Sequence, residues 1–189
     1  TSNQIRTVYA GGYNLPGSSA ENFVTTMGYF TIATLGNSSD FGNLSQKGRL
    51  TFQGSNGTRG IFAGRRVVSD RYNTIEYVNI MTTGNALDFC DLTVARSNSS
   101  GSMTSSTRMV MQGGLAPSYN NTIDYITMAS LGDAIDFGDT GSGAEASAAT
   151  SSPTRGVFTP GTPASGDTIE YITIATLGDA ADFGNLSVG

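Results

Sequence analysis

One sequence segment occurs four times in this chain and limits the folds that the chain can adopt. The four copies align without gaps: YFTIATLGNSSDFGNLS (29–45), YVNIMTTGNALDFCDLT (77–93), YITMASLGDAIDFGDTG (125–141) and YITIATLGDAADFGNLS (171–187). Their turn glycines, 36, 84, 132 and 178, recur at intervals of 48, 48 and 46 residues. This period is too long for a leucine-rich or hexapeptide solenoid, and it is typical of a β-propeller blade with four short strands.

The residue pattern within each period indicates β-strands. An apolar strand ending in glycine, such as GIFAG (60–64), is followed by a variable loop and an alternating strand, such as TIEYITI (168–174). That strand carries apolar residues on both faces, as expected for a strand between two neighbouring sheets. Helix-forming residues are not concentrated anywhere, whereas β-branched and aromatic residues lie between clusters of Gly, Asn and Ser.

We therefore predict an all-β fold, a small β-propeller of four blades in a single domain over residues 1–189. The blades span approximately 1–57, 58–106, 107–153 and 154–189. The chain begins on a first strand and stops after the third strand of its last period. The N-terminal segment Thr1–Gln4 could supply the missing outer strand of the last blade and close a ring, which removes exposed sheet edges. The alternative is an open array of blades that another chain completes.

Composition excludes several classes of function. The net charge is -5, with 10 Lys and Arg against 15 Asp and Glu, so a basic patch for nucleic acid is not expected. No apolar run approaches the ~18 residues of a membrane span. The single cysteine, Cys90, cannot form an internal disulfide bond, and it aligns with Gly42, Gly138 and Gly184. We interpret it as a small buried side chain rather than a reactive thiol.

The chain has no histidine, which removes the Ser-His-Asp triad, the Cys-His pair and most zinc sites. Phosphate-binding glycine motifs are also missing. We predict no catalytic residue, no cofactor and no metal site, and therefore no enzyme. A glycoside hydrolase would need a carboxylate pair, which should break the repeat symmetry.

Two sets of charged residues recur once per blade, and we predict that they connect neighbouring blades. Each Asp would accept hydrogen bonds from turn amides or pair with an Arg of the adjacent blade, since a bidentate Arg–carboxylate pair fixes orientation. The alternative is a catalytic or metal-binding ring of carboxylates. The residues are Asp40, Asp88, Asp136 and Asp182, with Arg6, Arg59, Arg108 and Arg155.

Three further sets are weaker candidates. Asp133, Asp136 and Asp139 could hold Ca²⁺ on a Gly-rich loop, although their spacing matches no EF-hand and solvated turn residues are favoured. The acids Glu76, Asp124 and Glu170 precede Tyr77, Tyr125 and Tyr171, which could form a sugar-binding surface but are better interpreted as core aromatics. Asn43 and Asn98 begin Asn-x-Ser glycosylation triplets, which matter only in a eukaryotic secretory pathway.

The repeat resembles two known groups of proteins. The order RGVF, IEYITIATLG and DFGNLS is similar to kelch-type propeller blades, with Phe41, Phe89, Phe137 and Phe183 in the place of the kelch Trp. The segment TIEYITIATLGDAADFG is similar to repeats in virion proteins of tailed phages, especially phages of marine bacteria. This resemblance implies a non-enzymatic structural component of a phage tail, fibre or capsid surface. It also implies that other virion proteins or copies of the chain itself are the partners.

The alternative function is a carbohydrate-binding or adhesive propeller on a cell surface or outside the cell, with a host-surface glycan as its partner. The loops Leu15–Asn22, Val67–Asn73 and Leu115–Asn121 differ between periods and should cluster at one end of the blades. Loops on a rigid scaffold commonly carry recognition.

Overall fold

A computed structural model describes residues 1–13, 22–97, 102–159, 161–163 and 166–187. Within these ranges the chain forms β-strands joined by turns, and no helix is long and apolar enough to cross a membrane. The strands are β1 (Arg6–Ala10), β2 (Thr26–Thr31), β3 (Ser39–Asn43), β4 (Phe52–Ser55), β5 (Arg59–Val67), β6 (Asp70–Asn79), β7 (Leu87–Asp91), β8 (Met103–Thr104), β9 (Arg108–Gln112), β10 (Thr122–Thr127), β11 (Ile135–Asp139), β12 (Ala149–Ser151), β13 (Arg155–Phe158), β14 (Thr168–Thr173) and β15 (Ala181–Asn185).

The strands form four antiparallel sheets, which we number in chain order. Sheet 1 is β1–β2–β3, sheet 2 is β4–β5–β6–β7, sheet 3 is β8–β9–β10–β11 and sheet 4 is β12–β13–β14–β15. In every sheet the last two strands shift register at the same place, at Met27/Gly28, Ile75/Glu76, Ile123/Asp124 and Ile169/Glu170. The backbone thus repeats as the sequence does, and the predicted all-β fold with a four-fold repeat is confirmed.

The outer strand of each sheet precedes the Arg-Gly strand in the chain, so the sheets begin earlier than the predicted blades. The strands β4, β8 and β12 pair with β5, β9 and β13 respectively. The N-terminal segment behaves in the same way: the Val8 amide donates to the Thr1 carbonyl at 2.8 Å, and Ser2 lies opposite Thr7. It therefore extends sheet 1, whereas we had expected it to complete the last blade. A turn at Asn3 makes this local pairing, which costs little loop-closure entropy.

The sheets pack face to face in chain order, and the hydrophobic core divides into three interfaces. Between sheets 1 and 2, Val8, Met27 and Phe41 face Phe62, Val78 and Ile80. Two further clusters fill the other interfaces: one joins Ile61, Ile75 and Phe89 with Met109, Met111 and Met128, and the other joins Val110, Ile123 and Phe137 with Phe158, Ile172 and Ile174. In sheets 2 and 3, each central strand thus contributes alternate residues to two interfaces.

The array has two uncovered faces, one at each end. The front face of sheet 1 exposes Tyr9, Phe30 and Ile32, and the last is 51% exposed, whereas its counterpart Ile80 is fully buried. The back face of sheet 4 exposes Phe183 and Leu186; Phe183 is 51% exposed, whereas Phe41, Phe89 and Phe137 are at most 4% exposed. In this structure the four sheets are therefore open between sheet 4 and sheet 1.

Candidate functional site

Three of the four repeated arginines connect one sheet to the next. The Nη1 atoms of Arg6, Arg59 and Arg108 donate to the carbonyls of Ile80, Met128 and Ile174 in the following sheet, at 3.1, 2.6 and 2.9 Å. Each guanidinium also stacks on the tyrosine of its own sheet, with distances to the ring centroid between 4.1 and 4.6 Å. Arg155 keeps only the tyrosine contact and is exposed, because no sheet follows sheet 4.

The repeated aspartates do not pair with these arginines. All eight residues are described, and none of them forms an ion pair; the aspartates Asp40, Asp88, Asp136 and Asp182 are exposed. The predicted Asp–Arg contact is therefore absent. The phenylalanine that follows each aspartate points into an interface or, in sheet 4, onto the free back face. The period of two then turns the aspartate away from the arginines. Asp182 accepts a hydrogen bond from the Gly184 amide at 2.8 Å, which is one of the two roles that we had considered.

The last strands of sheets 1, 2 and 3 are instead joined to the Gly-Asn/Asp turn of the next sheet. The Gly84 and Gly178 amides donate to the carbonyls of Phe41 and Phe137 at 2.7 and 2.8 Å. The turn side chains of Asn85, Asp133 and Asp179 accept from the amides of Asn43, Asp91 and Asp139 at 3.0, 3.2 and 3.0 Å. Asp133, which we had considered as a Ca²⁺ ligand, thus binds a backbone amide. Over the described ranges, no three His, Cys, Asp or Glu side chains lie close enough together to hold a metal ion.

Cys90 and the repeated tyrosines are packing residues. Burial first, and then the nearby charges of Asp133, Asp91 and Asp88, raise the pKa of the Cys90 thiol to about 12, so the thiol is protonated at neutral pH. The rings of Tyr29, Tyr77, Tyr125 and Tyr171 meet those of Phe41, Phe89, Phe137 and Phe183 edge to face, with centroids 5.9 to 6.1 Å apart. Tyr29, Tyr77 and Tyr125 thus pack within the interfaces, whereas Tyr171 and Phe183 lie on the uncovered back face of sheet 4.

The acids on the central strands are more informative. Glu76 and Asp124 are at most 1% exposed, and each forms an ion pair with a fully buried arginine: Glu76 with Arg65, and Asp124 with Arg96 at 2.9 Å. Each acid also binds the loop of the preceding sheet: Glu76 accepts from the Ser45 amide at 2.7 Å, and Asp124 from the Thr93 hydroxyl at 2.6 Å. A charge buried in this way must be paired, since an isolated one would be strongly destabilising.

The two buried arginines come from opposite sides of their interfaces. Arg65 lies at the end of β5 and faces Gly48, whose Cβ would lie 3.2 Å from the Arg65 side chain. Arg96 lies in the loop after β7 and faces Gly114, whose Cβ would lie 3.5 Å from Arg96 Cδ. By alignment, Arg65 corresponds to Gly114, and Arg96 corresponds to Gly48. Each of these interfaces therefore holds one guanidinium, which either sheet can supply.

The third interface keeps the acid but has no arginine beside it. Glu170 accepts a hydrogen bond from the Gly141 amide at 2.8 Å, as Glu76 does from Ser45. Ala144 stands at the position aligned with Arg96, and Gly161 stands at the position aligned with Arg65. All ten Lys and Arg residues are described, and none forms an ion pair with Glu170. A cavity of about 340 Å³ opens here and is lined by Glu170, Gln112, Thr140, Ala144 and Ser147, among others. This cavity is the candidate functional site.

The sequence reasoning placed Glu170 in a repeated set but missed Arg65, Arg96 and the cavity. The available signal was an arginine in a column that otherwise holds glycine or alanine. The variable loops can be placed in part. Val67–Asn73 forms the tip of the β5–β6 hairpin and Leu115–Asn121 joins β9 to β10, whereas most of Leu15–Asn22, and also Asn98, lie outside the described residues.

No protein-family model and no curated protein matches the chain.

Proposed function

We propose that the chain is a non-enzymatic structural component of a virus particle, whose sheets are consecutive blades of a kelch-like array. Copies of the chain assemble through the front face of sheet 1 and the back face of sheet 4. The virion setting comes from the resemblance of the repeat to phage virion proteins. The two uncovered faces carry the assembly part of the proposal.

The two faces are the two halves of the interface that the chain forms three times internally. Ile32, on the front face, corresponds to Ile80, Met128 and Ile174, which are at most 2% exposed. Leu186, on the back face, is 38% exposed and corresponds to Leu44 and Leu92, which are at most 4% exposed. Contiguous apolar patches of this kind on a protein surface typically mark interaction sites.

The polar contacts on the back face also correspond to those of the internal interfaces. Arg155 is free to reach a carbonyl of a following sheet, as Arg108 reaches Ile174. A Cβ on Gly184 would meet nothing within 4 Å, whereas one on Gly42 or Gly138 would meet the backbone of Gly84 or Gly178. The back face therefore has room for another Gly-Asn turn, and Gly36 and Asn37 of a second copy provide one.

A second copy would bind head to tail, because the two faces are different surfaces. Such heterologous contacts produce closed rings or open fibres, depending on the rotation between copies. Sheet 1 has Gly28 where sheets 2, 3 and 4 have an acid, so this interface has no buried carboxylate. We therefore expect a weaker, concentration-dependent association than between the internal sheets.

The test compares self-association of the wild-type chain with that of one variant per face, by analytical ultracentrifugation over a hundredfold range of concentration. We expect the wild type to form oligomers, and we expect Ile32→Lys and Phe183→Lys each to be monomeric. A mixture of the two variants should form a dimer and nothing larger, because each retains one intact face.

The control is Val68→Lys, which alters a side chain 45% exposed at the β5–β6 tip, away from both faces. It should associate as the wild type does. A wild type that stays monomeric at every concentration would refute assembly through the faces. Immuno-electron microscopy of phage particles tests the virion setting separately, and labelling of the particle surface is the expected result.

A further inference from the structure

We propose that the cavity between sheets 3 and 4 binds the guanidinium group of a ligand, with Glu170 as its counter-ion. This inference does not depend on assembly through the end faces, because the cavity lies at an internal interface.

An arginine side chain occupies the equivalent place at each of the other two interfaces. In both, the acid on the central strand of the later sheet is paired with a guanidinium. That guanidinium also donates to a backbone carbonyl: Arg65 to Gln46, and Arg96 to Met111, the latter at 3.1 Å. The aligned residues at the third interface are Ser142 and Phe158, and both line the cavity. The site therefore keeps the acid and the neighbouring backbone and lacks the cation.

The third interface departs from the repeat at several positions, and the side chains at these positions meet in the cavity. Gln112 replaces the apolar Ala63, and Thr140 replaces Leu92, so both substitutions introduce polar atoms into the lining. Gln112 is 2% exposed and its amide donates to the Ser147 hydroxyl at 2.8 Å. An interface that served only to join two sheets would be expected to repeat the apolar residues and the internal arginine.

The chemistry and size of the cavity suit a guanidinium group. A guanidinium is planar and forms two parallel hydrogen bonds with a carboxylate, and it is less strongly hydrated than an ammonium, so it suits a half-buried site. The volume of about 340 Å³ is at the small end of the range for ligand pockets. It can accept a free alkylguanidine or the arginine side chain of a partner protein, and the experiment distinguishes these two sources.

The experiment measures binding to the whole chain by NMR titration with three probes: methylguanidine, a short peptide with one central arginine, and the same peptide with citrulline. Citrulline has nearly the same shape as arginine and carries no charge. We expect methylguanidine and the arginine peptide to bind, and we expect the citrulline peptide to bind at least about tenfold more weakly. Tighter binding of the arginine peptide than of methylguanidine indicates a protein partner, and equal binding indicates a free guanidine.

Two variants test the site itself. Glu170→Gln removes the charge and should weaken binding of the charged probes at least about tenfold. Ala144→Arg restores an arginine at the Arg96 position and should abolish binding while raising the melting temperature. The matched control is Asp136→Asn, at an exposed carboxylate outside the cavity, which should bind as the wild type does.

The proposal is overturned if none of the charged probes binds the wild type, or if the arginine and citrulline peptides bind equally. It is also overturned if a folded Glu170→Gln protein binds as well as the wild type. If Glu170→Gln does not fold, Ala144→Arg decides, because undiminished binding to that variant would refute the site.

Discussion

The arginine that occurs in every sheet provides a test of what joins the sheets, because only some of its copies donate a hydrogen bond to the next sheet. Arg59 stacks on Tyr77 at 4.6 Å and donates to the Met128 carbonyl of sheet 3 at 2.6 Å. Arg155 stacks on Tyr171 at 4.8 Å and has no following sheet. Replacing either arginine by alanine removes a stacking contact with tyrosine. Only Arg59→Ala also removes an inter-sheet hydrogen bond and a longer contact, at 5.7 Å, with the Phe89 ring.

The expected magnitudes follow from these contacts. A hydrogen bond from a charged group contributes about 1.5–3 kcal/mol, and a cation–π contact at a partly exposed site contributes about 0.5–1 kcal/mol. We expect Arg59→Ala to lower the free energy of unfolding by about 2–4 kcal/mol and Arg155→Ala by about 0.5–1 kcal/mol. For a chain of this size the larger loss corresponds to a fall of roughly 5–10 °C in melting temperature.

Urea unfolding followed by circular dichroism measures both values. Asp136→Ala is a second control, and we expect it to change stability by less than about 0.5 kcal/mol, because the side chain is exposed and forms no ion pair. Equal losses for Arg59→Ala and Arg155→Ala would show that the Met128 contact does not stabilise the array. A large loss for Asp136→Ala would restore the original prediction of an Asp–Arg contact.

Two other expectations follow from the positions aligned with Gly42. Gly138→Ala should destabilise the chain more than Gly184→Ala by about 1–3 kcal/mol in urea unfolding. Both residues have positive φ, but an added Cβ would lie about 2.5 Å from backbone atoms only at Gly138. Similar losses for the two variants would contradict the close contact between Gly138 and the turn of sheet 4. Cys90 should react slowly with Ellman's reagent in the native protein at pH 8 and rapidly in urea, since a pKa of about 12 keeps the native thiol protonated at pH 8. Fast labelling of the native protein would contradict the burial of this thiol.

Much of the fold could be predicted because the repeat is periodic at two levels. The interval of 46 to 48 residues predicted the number of sheets. The alternation in segments such as 168–174 predicted strands with two apolar faces, and in sheets 2 and 3 both faces are buried. The assignment of the outer strand was less accessible. A segment such as Ala149–Ser151 has no distinctive apolar pattern, and its sheet is determined by the tight turn to the strand that follows it.

The candidate site was harder to predict, because a comparison of the periods singles out the residues that occur in all of them as functional candidates. The aspartate before each phenylalanine is repeated yet exposed, while Arg65 and Arg96 each occur once and are fully buried. Their partners lie 11 and 28 positions away in the chain but are adjacent in space. Alignment of the four periods shows that an arginine replaces a glycine, but it does not show that the two arginines reach equivalent places from opposite sheets.

The exchange of arginine and glycine between the two sides of an interface has a consequence for the order of the sheets. Near-identical repeats are at risk of pairing with the wrong neighbour during folding. Sheet 2 carries Arg65, so the loop of the sheet before it must have a small residue, such as Gly48, at the position that faces Arg65. An arginine there, such as Arg96, would bring two cations to the single carboxylate of Glu76. Sheet 3 carries Gly114 and needs the arginine of the preceding loop, without which Asp124 would be buried unpaired. Single substitutions thus distinguish sheets whose strands are almost the same, and they restrict which sheets can pack against each other.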